Sequence, residues 1–157
     1  MYSTLSGGRP NGRGVYLLLL PLSALLQGRA EIVAYDILLI EDDRDILEFT
    51  RLVLANYGYT VRSAVNGREA LAQVNERRPD LILLDLMMPV MDGFTFGKML
   101  RSSESTRDIP IVVFSAFPGG LARAQEINPD GYLTKPFELE DLLSCVELCV
   151  RPRNRLV

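Results

Sequence analysis

The stretch "LILLDLMMPVMDGF", Leu81 to Phe94, is an apolar run that ends on a single carboxylate, Asp85, and then turns through Met87, Met88, Pro89 and Met91 before Asp92-Gly93. Read from Asp80 to Leu86, the run has the length and composition of a strand buried on both faces, as in parallel sheets. A carboxylate closing such a run costs free energy unless something pairs with it. Asp85 is therefore the first candidate for chemistry.

Similar runs recur on both sides of it. "YDILLI" (Tyr35 to Ile40), "YTVRSAV" (Tyr59 to Val65), "IPIVVFSA" (Ile109 to Ala116) and "GYLT" (Gly131 to Thr134) read as four more strands. Helix-period segments lie between and after them: "RDILEFTRLVLANYG" closing on Gly58, "GREALAQVNERR" stopped before Pro79, "DGFTFGKMLRSS", "PGGLARAQEI" and "ELEDLLSCVELCV". The fourth is the poorest helix, because Gly119 and Gly120 open it and Pro129 follows. Alternation of this kind builds an α/β fold in which helices cover both faces of a parallel sheet.

Ligands of such folds bind outside the carboxyl ends of the strands. The residues falling there are Glu41, Asp42 and Asp43 after strand one, Asp85 after strand three, Ser115 at the end of strand four and Lys135 after strand five. Carboxylates from two adjacent strands repel unless a cation intervenes, and an oxygen-only ligand set favours a hard ion such as Mg2+. Beside such an ion an aspartate can attack a phosphoryl group and form an acyl phosphate. Asp85 is best placed for that role, with Lys135 as a point charge and Ser115 as a hydroxyl donor. Lys135 is one of two lysines in a chain with 17 basic residues.

Composition removes several alternatives. The 157 residues contain no histidine, which excludes histidine bases, histidine metal sites and a phosphohistidine on this chain. After residue 34 there are 14 basic and 19 acidic side chains, a net −5 that argues against a general nucleic-acid surface. Cys145 and Cys149, four apart on one helical face, read as reduced, partly buried thiols pointing in parallel, in a cytoplasmic protein. They are too few for a metal site of their own.

The segments "ILLIEDDRDI", "LILLDLMMPVMDGF", "VVFSA" and "GYLTKPF" occur in the order found in the receiver domains of two-component response regulators, and from about Asp36 to Val150 the chain resembles that family. The resemblance implies a flavodoxin-like (βα)5 three-layer sandwich with sheet order 2-1-3-4-5. It implies Asp85 as phosphoacceptor and Mg2+ held by Glu41, Asp42, Asp85 and the backbone carbonyl of Met87. It also implies Ser115 and Lys135 as phosphoryl-binding groups, Tyr132 as the aromatic switch and a cis peptide before Pro136. A sensor histidine kinase or phosphotransfer protein would be the donor, and the output a protein contact in trans, with no DNA-binding domain and no membrane. Homodimerisation on phosphorylation is left open. One departure is the 20-residue span from Ser115 to Lys135, short for the family, with the loss falling in helix four on the output face.

Two rival readings remain: a receiver-like binding module acting without phosphorylation, and an Asp-nucleophile phosphohydrolase, which would carry a second aspartate where this chain has Met87. Met87 and Phe117, each two residues past a site residue, are expected to hinder water and slow dephosphorylation. Residues 1–34, with the run "VYLLLLPLSALL", stand outside the repeating pattern. The run of about 12 residues is too short to span a membrane, against the roughly 20 required. The segment reads as an N-terminal extension or a translation start placed too far upstream, followed by the receiver domain over 35–150 and a basic tail over 151–157.

Overall fold

The computed structural model describes residues 34–116 and 119–150. The expectations for residues 1–33 and 151–157, and for Phe117, lie outside the described residues. The apolar runs form five strands: β1 (Asp36–Ile40), β2 (Thr60–Ala64), β3 (Leu81–Leu84), β4 (Ile111–Ser115) and β5 (Gly131–Thr134). They make one parallel sheet in the order β2-β1-β3-β4-β5, as expected. Between and after them lie α1 (Arg44–Asn56), α2 (Gly67–Glu76), α3 (Gly93–Ser102), α4 (Gly120–Ala124) with a 3-10 turn (Gln125–Ile127), and α5 (Leu139–Cys149).

Every residue of β1, β3 and β4 is buried, as their unbroken apolar runs require. Strand alternation divides those side chains between two cores. Leu38, Ile40, Ile82, Leu84, Ile111 and Val113 pack against α2, α3 and α4. Ile37, Leu39, Leu81, Leu83, Val112 and Phe114 pack against α1 and α5. The result is three layers, with about 1.5–3 kcal/mol gained for each large side chain fully buried.

The helices start where the sequence supplies caps. Asp43 accepts from the amides of Asp45 and Ile46 to open α1, Asn66 accepts from Glu69 to open α2, and Asp92 accepts from Thr95 to open α3. Gly58, at φ +90°, lets the chain leave α1 in a conformation other residues avoid. Helix α4 is short, and its continuation is held from outside. Arg101 on α3 donates to the carbonyls of Ile127 and Asn128 and pairs with Asp130.

Strand β3 ends at Leu84, two residues before the apolar run does. Strand β4 starts at Ile111 and not Ile109, where Pro110 has no amide to give to a ladder. Cys145 and Cys149 are free thiols on α5, and Cys149 Sγ donates to the Asp130 carbonyl at 3.5 Å. Both sulfurs turn toward Gly131, where a side chain would collide with Cys145 Sγ at 2.7 Å. The bare Gly131 thus leaves room for both sulfurs against β5.

Candidate functional site

The ladder runs one residue past three of the strands. Glu41 donates its amide to Ala64 O at 3.0 Å, Asp85 to Ile40 O at 3.0 Å and Lys135 to Ser115 O at 3.1 Å. Three site residues separated by up to 94 positions in sequence are thereby set along one edge of the sheet. Asp85 itself lies just beyond β3 and is only 5% exposed.

Gly93 fixes the loop that follows. Its amide donates to Leu86 O at 3.0 Å, and a Cβ there would stand 2.2 Å from the carbonyl oxygen of Asp85. The first turn of α3 can cover the Asp85 backbone only because that side chain is missing. The Asp85 carboxylate in turn accepts from the Met87 amide at 3.4 Å.

Glu41, Asp42 and Asp85 converge, each offering a carboxylate oxygen within 4.8 Å of the others. Glu41 and Asp85 are buried and Asp42 is exposed, so the cluster opens to water on the Asp42 side. Lys135 Nζ stands 2.5 Å from Glu41 Oε2 and 3.5 Å from Asp85 Oδ2. Burial pushes the Glu41 carboxyl above its ordinary range, and the neighbouring Asp85 charge adds to that. The hydrogen bond from Lys135 is the largest of the opposing influences and does not cancel the burial.

The other expected site residues take these places. Ser115 is fully buried at the end of β4. Tyr132 on β5 is half-buried against the core shared by α2, α3 and α4. The Lys135–Pro136 peptide is cis. The Met87 side chain is 53% exposed.

Two features of the site escaped the sequence reading. Lys135 lies over the face of Phe114, 4.7 Å from its centroid. Val90, in the loop after Asp85, adopts φ +71° while 71% exposed. The Met91 amide closes on the Pro89 carbonyl at 2.8 Å around it, a γ-turn of the strained positive-φ kind. Neither is signalled by composition: the first pairs a residue of β4 with one just past β5, 21 positions away, and the second puts a β-branched residue where sequence rules favour glycine or asparagine.

This geometry meets a family pattern. Residues 37–147 match the model of the response regulator receiver domain. The chain belongs to the response regulator receiver family. It is 39% identical over 122 residues to the DNA-binding dual master transcriptional regulator RpaA of Synechocystis, covering 76% of this chain and 51% of that protein. It is 40% identical over 117 residues to the response regulator MprA of Mycolicibacterium vanbaalenii, covering 73% of this chain and 50% of that one. The receiver chain thus spans about half the length of the curated relatives it matches.

Among solved structures, a putative response regulator from Chloroflexus aurantiacus superposes with a TM-score of 0.70 at 33% identity, over 73% of this chain and 95% of that one. The receiver domain of the sensor histidine kinase PA1611 from Pseudomonas aeruginosa superposes with a TM-score of 0.68 at 28% identity, over 73% and 97% of the two chains, and carries a magnesium ion in its active-site cleft. As a receiver domain, the chain is a module of phosphorylation-dependent signalling. Among the described residues no helix is long and apolar enough to cross a membrane.

Proposed function

We propose that Asp85 is the phosphoacceptor of this receiver and that its site works with Mg2+. The observation that carries the reading is the meeting of three carboxylates and one ammonium: Glu41, Asp42 and Asp85 within 4.8 Å, with Lys135 reaching both Glu41 and Asp85. Asp42 and Asp85 would hold the ion, with the backbone carbonyl of Met87 as a third contact and Glu41 acting through water. An oxygen-only set of this charge suits a hard divalent cation. When bound, Mg2+ would neutralise the charge that the transferring phosphoryl group brings to the carboxylates.

The chain's own residues do the rest. A carboxylate oxygen of Asp85 forms a bond to phosphorus as the bond from phosphorus to the donor imidazole breaks, and the departing imidazole takes up a proton from water. Since the chain has no histidine, the phosphohistidine comes from a sensor kinase or phosphotransfer protein. Lys135, already 3.5 Å from Asp85, swings its charge from Glu41 to a phosphoryl oxygen. Ser115 supplies a hydroxyl donor to a second. Tyr132 then shifts inward, and the surface of α4, β5 and α5 changes for a protein partner. The setting is cytoplasmic.

Intact-mass spectrometry of wild type and Asp85→Ala after incubation with Mg2+ and acetyl phosphate tests this. One phosphoryl group on wild type and none on the variant is expected. An adduct of equal stoichiometry on both would move the acceptor elsewhere. No adduct on either, with a panel of phosphorylated kinases also inert, would leave a binding module that signals without phosphorylation.

A further inference from the structure

Phe114 is fully buried on β4, immediately before Ser115, and is more than core filling. Its face lies under the Lys135 ammonium at 4.7 Å, and Phe137 meets its ring at 6.1 Å with the planes at 73°, edge to face. The lysine side chain is only 14% exposed, so water does little to weaken the attraction between the cation and the negative face of the ring.

A lysine stem is long and flexible, and two carboxylates on one side draw its charge without fixing the approach. The Phe114 ring adds an apolar face beneath it. Backbone geometry keeps the two in step, since Phe114 pairs with Leu133 across the sheet and the Lys135 amide donates to the Ser115 carbonyl. Lys135 Nζ already stands within 3.5 Å of Asp85 Oδ2 while it rests over that ring.

We propose that Phe114 is a positioning residue for Lys135: its ring face, braced by Phe137, holds the ammonium against Glu41 and Asp85 and sets where that charge stands as Asp85 is phosphorylated. The proposal rests on Asp85 being the phosphoacceptor. An aliphatic residue at 114 would fill the strand but leave the lysine without its electrostatic floor.

Two measurements test it, one of which does not need phosphorylation. In NMR spectra of the wild type, the Lys135 side-chain methylene protons nearest the ammonium are expected upfield of ordinary lysine values, from the ring current, and return toward those values in Phe114→Leu. In parallel, phenylalanine bearing successive ring fluorines is placed at 114, which empties the negative face while nearly keeping the ring's volume. The initial rate of phosphorylation by acetyl phosphate should fall stepwise with fluorination, by roughly three- to ten-fold across the series, at near-constant Tm. Ordinary lysine shifts in the wild type, or a flat rate across a folded fluorinated series, would overturn the proposal. If the wild type accepts no phosphoryl group, the reading of Asp85 fails and the NMR arm alone decides the role of Phe114.

Discussion

Lys135 Nζ stands 2.5 Å from Glu41 Oε2, a contact between residues 94 apart that joins the two outer walls of the acidic pocket. Glu41 is 1% exposed, and its carboxyl remains above the ordinary range in spite of that partner, because burial outweighs it. In the unfolded chain Glu41 releases its proton near 4.5, whereas the fold retains it to higher pH. The folded state therefore binds more protons across the window that opens at that value, and stability falls as pH rises through it. Glu41→Gln, which imitates the protonated form, should match wild type below pH 4.5 and exceed it as pH rises above that value. Urea unfolding at a series of pH values measures the difference; a gap that shrinks toward neutral pH would contradict the assignment.

Gly93 and Gly58 make a contrasting pair. A Cβ on Gly93 would lie 2.2 Å from Asp85 O and 2.8 Å from Leu86 Cα, and neither backbone atom can yield without moving the site. Gly93→Ala should cost roughly 3 kcal/mol or more, at the upper end for overpacking, and lower Asp85 phosphorylation in whatever protein remains folded. At Gly58 nothing lies within 4 Å, so Gly58→Ala carries only the strain of φ +90°, about 1–2 kcal/mol. Comparing the two variants by urea denaturation separates collision from conformational strain.

Much of the fold was legible because short unbroken runs such as "ILLI" and "LILL", alternating with helix-period segments, fit strands buried on both faces, and strand-end residues of a parallel sheet gather at one edge. Glu41, Asp85 and Lys135 could be placed on that logic alone. The end of β3 could not, since it depends on α3 settling over the Asp85 carbonyl through a bare Gly93. The floor of Phe114 beneath Lys135 is likewise invisible to periodicity, which reports that the phenylalanine is inside but not what rests on it. Helix spacing puts Cys145 and Cys149 on one face, but that both sulfurs pack over a bare Gly131 is a long-range fact that spacing cannot report.

Val90 carries the strain of the loop after Asp85. A β-branched residue at φ +71° with 71% of its surface exposed gains little burial to offset that conformation. Val90→Gly keeps the turn and removes the Cβ that this positive-φ conformation penalises, so the protein should gain about 1 kcal/mol in urea unfolding. Unchanged or lower stability would mean that the Val90 side chain holds the loop through contacts that outweigh its backbone cost.

The Cys145 thiol is pushed up to about 11, first by burial and then by Cys149, from an ordinary 9.0. Only the thiolate attacks an alkylating agent, so a shift of that size leaves roughly a hundredth of the usual thiolate at pH 8. Cys145 in the folded protein should therefore react with iodoacetamide on the order of 100-fold more slowly than in urea, and its rate should keep rising through pH 10, where an ordinary thiol has levelled off. Peptide-resolved mass spectrometry follows both cysteines together. The partner sharpens the test: Cys149→Ala removes a neighbouring thiol but leaves the burial, so Cys145 should speed up only modestly. A rate in Cys149→Ala equal to that of the unfolded chain would show that the second thiol, and not burial, protects the first.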